Sequence, residues 1–244
     1  EYVIKELKAN PKISRDLAWL NLTLQDEYNK NYDYFLKKYK IKNNQYIVIV
    51  GTGLVKWYTT NENDFYNSFI KIIDNLKKKY PNKKIVWLSH VTTPKPALSD
   101  NTMLDCLNAK YNNYINENLV VIDKHILPAE ARIILGHAYF TLTCRMHAAV
   151  SSFQMGKPAI CLSYSPKYQG VIARGLNMKD LVIEAKNDLL WKGDIITKID
   201  EKINYIDKNY DDLLVKIQKN VKKCKDIVEN TIDEIAINIK EGEK

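Results

Sequence analysis

Three basic residues, Arg145, His147 and Lys167, each follow a short apolar run in the second half of the sequence. The runs, residues 139–143 and 158–162, have the length and composition of buried strands. If these strands are parallel, the residues after them meet at one edge of the sheet, where α/β proteins bind anions. Arginine can hold a phosphate or carboxylate through two hydrogen bonds, and histidine exchanges protons near neutral pH. The spacing therefore predicts an anion site with an acid–base group.

The predicted helix after the first run supports the same interpretation. Thr143 is expected to cap a helix over residues 144–155, which places Arg145 and His147 in its first turn. Basic side chains there oppose the helix dipole by roughly a few tenths of a kcal/mol unless an anion is bound. In the alternative interpretation, Arg145 pairs with a nearby acid and His147 packs without a function. Lys167, after the neighbouring strand, favours the anion site.

Other candidates follow the earlier predicted strands. His90, just past residues 85–88, is a weaker candidate for contact with substrate in the same cleft. Asp100 needs to do no more than cap a helix that begins at residue 101. Trp57 and Tyr58, after residues 46–50, have side chains that can stack on a sugar, although ordinary packing is the interpretation we favour.

Strands and helices alternate from residue 45 onward. The predicted strands cover residues 46–50, 85–88, 119–122, 139–143 and 158–162, and the predicted helices cover residues 62–79, 101–116, 128–135 and 144–155. This alternation is typical of parallel strands joined by right-handed crossovers. The fold class is therefore α/β, with a Rossmann-like parallel sheet and helices on both faces.

The chain divides into three predicted parts. Residues 1–44 are interpreted as a segment that arrives from an earlier part of the protein with a connector, and residues 45–208 as the alternating α/β domain. Residues 209–244 carry apolar side chains at steps of three and four, which predicts a long amphipathic helix. The chain begins with Glu1 and not with Met, so we expect that sequence upstream has been removed.

Composition narrows the function classes. A net charge of +8 suits anionic partners, but the basic residues are scattered and no nucleic-acid signature accompanies them, so we expect no nucleic-acid partner. Four widely spaced cysteines indicate free thiols in a reducing compartment. Gly51-Thr52-Gly53 lacks the third glycine of a dinucleotide loop. There is no GxSxG, HExxH or DxD motif.

One stretch resembles a known family. Arg145-Met-His147-Ala, then Gly156-Lys-Pro158, then Ser163-Tyr-Ser-Pro-Lys167, is similar to the polysaccharide pyruvyl transferase family. Weaker similarity extends upstream, to residues 13–19 and residues 89–100. The resemblance implies a fold like one half of a GT-B-type two-domain enzyme. Residues 45–208 are then the second, Rossmann-like domain that binds the donor, and residues 1–44 are the end of the first domain with a connector.

The resemblance also implies a reaction. Such enzymes transfer pyruvate from phosphoenolpyruvate to two hydroxyls of a sugar, which forms a cyclic ketal and releases phosphate. On this basis His147 is the expected catalytic acid–base residue, and Arg145, Lys167 and His90 are the expected substrate-binding residues. No cofactor and no metal are expected.

The implied partners are phosphoenolpyruvate and a sugar or lipid-linked glycan, in the biosynthesis of a surface polysaccharide of the cell envelope. The expected location is the cytoplasm, with the inner face of the membrane as one place of action. Two alternatives stay open at this point. The first is a GT-B-type glycosyltransferase with a nucleotide-sugar donor, and the second is a non-catalytic glycan-assembly module.

Overall fold

A six-stranded parallel sheet forms the centre of the fold in the computed structural model, which describes residues 12–242. The strands are β1 (Tyr46–Val50), β2 (Lys84–Leu88), β3 (Val120–Ile122), β4 (Thr141–Thr143), β5 (Ala159–Ser163) and β6 (Val182–Glu184). Their spatial order is β3-β2-β1-β4-β5-β6, and every neighbouring pair is parallel. This is the strand order of the Rossmann fold, so the predicted α/β class is confirmed.

Helices connect the strands and flank the sheet. They are α1 (Gln25–Lys30), α2 (Tyr32–Lys38), α3 (Glu62–Lys79), α4 (Asp100–Lys110), α5 (Tyr114–Asn118), α6 (Pro128–Gly136), α7 (Met146–Gln154), α8 (Pro166–Tyr168), α9 (Asp194–Lys208) and α10 (Tyr210–Gly242). A π-helical turn over Gln169–Gly175 continues α8. The predicted helix over residues 62–79 matches α3 at both ends.

Strand β1 is apolar throughout because it is buried on both faces of the sheet. Its five residues are all buried, and alternate side chains enter two different cores. Ile47 and Ile49 pack into the larger core, while Tyr46, Val48 and Val50 pack into the smaller one. Because helices cover both faces, no position in such a strand can be polar without losing buried apolar contact.

Two predicted helix boundaries are wrong. The helix expected over residues 101–116 ends at Lys110, because Asn112 and Asn113 adopt positive φ angles of 51° and 58° before α5 begins. Left-handed backbone suits asparagine and interrupts a right-handed helix. The helix expected from residue 144 begins at Met146, with Arg145 as its N-cap residue at φ −113°.

The long terminal helix was predicted over residues 209–244 and is observed over Tyr210–Gly242. Its stripe is buried through Leu213, Ile217, Cys224 and Val228, whereas Ile232 and the isoleucines after it are exposed. The first two-thirds of α10 therefore packs on its own domain. In residues 12–242 we find no helix that is both long enough and apolar enough to cross a membrane. Residues 1–11 of the predicted first segment lie outside the described residues.

Candidate active site

The candidate site lies where the strand order reverses. Strands β1 and β4 are neighbours, but the chain leaves β1 toward β2 and leaves β4 toward β5. Ligands of open α/β sheets bind in the crevice outside the carboxyl ends of the strands at this point. Residues 51–53 follow β1 there, and residues 144–147 follow β4. The fold thus places Arg145 and His147 at the usual ligand crevice.

Arg145 is bound to the protein through one edge of its guanidinium. Nε and Nη2 donate to Oδ1 of Asp100 at 2.8 and 2.6 Å, and Nη2 also donates to the Leu98 carbonyl at 2.7 Å. The side chain is 13% exposed. Nη1 makes no hydrogen bond to any described residue, so it is the nitrogen left to meet a ligand. Arg145 therefore joins the loop after β4 to the start of α4, across the end of β1.

Asp100 is a partner that the sequence did not reveal. Its side chain is fully buried, and Oδ2 accepts hydrogen bonds from the backbone N–H groups of His90 at 3.0 Å and Val91 at 2.9 Å. Burial raises the pKa of Asp100, whereas Arg145 and these two N–H groups lower it. The expected capping role is wrong: Ser99 caps α4, and its Oγ accepts from the N–H of Asn101.

Thr143 also has a different role from the one expected. Its Oγ1 accepts from the N–H of Arg145, the residue before the helix begins, at 2.8 Å. Such a local side-chain bond competes with helix formation, so the turn holds residue 145 in an extended conformation. Arg145 can therefore point across the sheet edge and not along the helix surface.

His147 is the exposed member of the group. It is the second residue of α7, and its side chain is 58% exposed. Nε2 lies 3.8 Å from Oδ2 of Asp16, whose Oδ1 caps a short 3-10 turn by accepting from the N–H of Ala18 at 2.9 Å. His147 is therefore not a buried core residue. It faces open space beside a fixed carboxylate, where it can exchange a proton with a ligand.

His90 lies in the same group as the two predicted residues. It is partly buried, and burial together with the charges of Arg145 and His147 lowers its pKa to about 4. The imidazole is thus neutral at pH 7. It can offer a hydrogen bond to a ligand, but it adds no positive charge for an anion.

Lys167 occupies the predicted edge but stands apart from the other residues. It is exposed at the second position of α8, just beyond the end of β5, the neighbour of β4. It makes no ion pair or hydrogen bond with any residue of the described part of the chain. The structure thus brings Arg145, His147 and His90 together and places Lys167 one strand further along.

Two buried tyrosines hold the turn that carries Arg145; the packing role favoured for Tyr58 is confirmed, whereas no sequence signal indicated Tyr168. The hydroxyls of Tyr58 and Tyr168 both donate to the carbonyl of Cys144, at 2.8 and 2.7 Å. The Leu162 carbonyl lies 2.9 Å from the same Tyr58 hydroxyl and shares its single proton with Cys144. These bonds fix the ends of β4 and β5 relative to the loop after β1.

A cavity of about 550 Å³ opens on the Asp16 side of the site. It lies between residues 13–16, which precede the 3-10 turn at Leu17–Trp19, and the π-helical turn that follows α8. Two arginines, Arg15 and Arg174, contribute to its wall together with Asp16. The surroundings of His147 therefore offer space and positive charge, which suit an anionic ligand.

Comparison with known families finds one family that part of the chain resembles. Residues 94–166 match the model of the polysaccharide pyruvyl transferase family. The suspected resemblance is thereby confirmed over this range, which contains Asp100, Arg145 and His147. No curated protein matches the chain at a significant level.

Solved structures share the fold. The UDP-GlcNAc 2-epimerase of Methanocaldococcus jannaschii, in complex with UDP-GlcNAc and UDP, is 16% identical with a TM-score of 0.52, over 77% of this chain and 44% of that one. The E. coli ADP-heptose LPS heptosyltransferase II is 11% identical with a TM-score of 0.50, over 78% and 52%. The N-terminal domain of the Candida albicans trehalose-6-phosphate phosphatase is 12% identical with a TM-score of 0.51, over 92% and 49%. The chain spans about half the length of these structures, and the likeness establishes a GT-B-like fold.

Proposed function

We propose that this chain carries the donor half of a transferase that moves pyruvate from phosphoenolpyruvate to sugar hydroxyls of a surface polysaccharide or glycan precursor. One observation carries the proposal. At the ligand crevice of the sheet, Asp100 links Arg145 to the backbone of His90, and His147 follows in the first turn of α7; Arg145 and His147 lie within residues 94–166, which match the pyruvyl transferase family.

The donor chemistry fits these groups. Phosphoenolpyruvate carries a phosphate and a carboxylate, so it needs cations that are already fixed in position. Asp100 fixes the Arg145 guanidinium and leaves Nη1 for one anionic group. Lys167 supplies a mobile charge for the other group, and the neutral His90 supplies a hydrogen bond.

His147 is assigned the proton transfers. In ketal formation, two sugar oxygens bond to the central carbon of the enol, the bond from that carbon to the phosphate oxygen breaks, and the methylene gains a proton. Of the two protons that leave the sugar hydroxyls, one goes to the methylene and one to the departing phosphate. An exposed histidine beside the crevice can carry both in turn, since an imidazole can accept a proton at one ring nitrogen and donate one from the other.

The test is donor choice. Isothermal titration of the full chain with phosphoenolpyruvate should show binding that is lost with Arg145→Ala, and UDP-GlcNAc should show none. Incubation with phosphoenolpyruvate and a glycoside acceptor should release phosphate and yield a pyruvylated product by mass spectrometry. A chain that binds UDP-GlcNAc but does not bind phosphoenolpyruvate would contradict the proposal.

The same titration tests the second candidate. A GT-B-type glycosyltransferase with a nucleotide-sugar donor is favoured by one observation, the shared fold with an epimerase that holds UDP-GlcNAc and UDP. Binding of a nucleotide sugar would support that candidate. Binding of neither donor would support a non-catalytic glycan-assembly module.

A further inference from the structure

Trp57 differs from the other tryptophans of the chain. Its side chain is 55% exposed, whereas Trp19, Trp87 and Trp191 are at most 1% exposed. All four tryptophans of the sequence lie within the described residues. Burial of a large aromatic side chain stabilises a fold, so an exposed tryptophan leaves a large apolar surface unused for packing.

The position of Trp57 is fixed although its surface is open. It ends a 3-10 turn over Val55–Trp57, and both the first residue of this turn, Val55, and the residue after it, Tyr58, are buried. The ring of Tyr164 meets the indole edge-on, with centroids 6.0 Å apart and planes at 62°. The indole is thus held in place by its neighbours in the chain and by one edge contact.

The indole borders two cavities at the carboxyl edge of the sheet. One, of about 380 Å³, is lined among others by Thr52, Gly53 and Glu62, and its volume falls in the range of small-molecule sites, roughly 300–1,000 Å³. The other, of about 250 Å³, is lined among others by Asn187 and Asp188. Lys56 borders both cavities.

The polar groups around the second cavity are ordered. Asp188 accepts from the N–H of Thr60 and from its hydroxyl, both at 2.7 Å. These bonds tie the loop after β6 to the turn that carries Trp57. A carboxylate has further lone pairs beyond these two bonds, and Asn187 and Lys56 supply donors.

We propose that Trp57 and these two cavities form a saccharide-binding subsite. The C–H groups on the apolar face of a pyranose ring carry partial positive charge and pack against the negative face of the indole. The hydroxyls at the ring edge bond to Asp188, Asn187 and Lys56. An amphipathic sugar therefore fits a fixed aromatic surface with polar groups on both sides.

The subsite is tied directly to the candidate active site. Tyr58, next to Trp57, donates its hydroxyl to the carbonyl of Cys144, which immediately precedes Arg145. A sugar on the indole thus lies beside the loop that carries the proposed donor site. Its role as the acceptor position rests on the proposed pyruvyl transfer, whereas saccharide binding itself does not.

Fluorescence titration without donor tests the subsite. Because the other three tryptophans are buried, a change in emission on addition of a methyl glycoside reports Trp57. The glycosides to test are the methyl β-D-glycosides of galactose, glucose and N-acetylglucosamine.

Saturation-transfer NMR then compares the glycoside affinity of the wild type with that of variants. Trp57→Ala should bind the best glycoside about tenfold more weakly, while Trp57→Phe keeps a stacking face and stays closer to the wild type. Tyr34→Ala, which removes an exposed aromatic from α2, is the matched control and should change nothing.

Two results would overturn the subsite. One is glycoside binding that is absent or equal in the wild type and Trp57→Ala. The other is Trp57-dependent binding of uridine without binding of any glycoside. Failure of the proposed pyruvyl transfer gives a different result from failure of the subsite. In that case the wild type would bind glycosides through Trp57 yet release no phosphate from phosphoenolpyruvate. Conversely, phosphate release that Trp57→Ala leaves unaffected at low acceptor concentration would overturn the assignment of this subsite as the acceptor position.

Discussion

At the scale of single residues, the pair formed by Arg145 and Asp100 couples stability to ligand binding. Asp100 is fully buried and Arg145 is 13% exposed, so loss of either partner leaves a charge with little solvent to screen it. We expect Arg145→Met to lower the free energy of unfolding by about 3 kcal/mol. Urea denaturation measures this loss.

The double variant separates the ion pair from general damage at this position. Arg145→Met combined with Asp100→Asn should recover part of the lost stability, since the carboxylate that remained without a partner is then gone. A loss of unfolding free energy in the double variant that equals the sum of the losses in the two single variants would contradict the coupling. Donor affinity should stay low in the double variant, because the guanidinium is absent.

The lowered pKa of His90 predicts how the free energy of unfolding depends on pH. Its folded pKa is about 4, below the unfolded value of about 6.5, so between these values the unfolded chain binds more protons than the folded one. Stability therefore rises with pH from about 4 to 6.5, is fully present above that window, and falls by up to about 3 kcal/mol as pH drops through it. His90→Asn should flatten this difference between pH 7 and pH 5 in urea denaturation.

The exposed His125 offers the matched control. His125→Asn should leave the pH dependence of unfolding unchanged. A wild-type slope that persists in His90→Asn would show that other groups cause it.

At the scale of elements, the loop after β1 packs directly against residues 98–99, which precede Asp100. A Cβ added to Gly53 would lie 2.4 Å from the carbonyl oxygen of Ser99, a distance that requires the backbone to move. Gly53→Ala should therefore cost about 2 kcal/mol of stability. It should also weaken donor binding, because Leu98 and Asp100 both hold Arg145.

Gly170 is the matched control for this substitution. A Cβ there meets no atom within 4 Å. Gly170→Ala should keep both stability and donor affinity close to those of the wild type. Equal effects of the two substitutions would contradict the packing of the β1 loop against residues 98–99.

The elements also show what the sequence could predict and why. Strand β1 and helix α3 were predictable, because five apolar residues and an apolar stripe of period 3.6 arise from burial alone. The start of α7 was not, because the bond from Thr143 to the N–H of Arg145 replaces a helix cap that looks identical in sequence.

At the scale of the whole molecule, the site depends on contacts between distant parts of the chain. Arg145 and Asp100 are 45 positions apart and meet only because β1 lies between β2 and β4. Residue type and spacing indicated the cations but not the acid that holds one of them. Tyr58, after a 3-10 turn, and Tyr168, at the end of α8, converge on Cys144, and each looks like an ordinary core aromatic in sequence.

The role of His147 is the central claim, and steady-state kinetics of the full chain test it most directly. Turnover and the KM for phosphoenolpyruvate are measured for the wild type, His147→Gln and the control His125→Gln. We expect His147→Gln to lower turnover by about 10²- to 10⁴-fold while the KM for phosphoenolpyruvate changes by less than about threefold. Unchanged turnover, or an equal loss in turnover and donor affinity, would contradict proton transfer by His147.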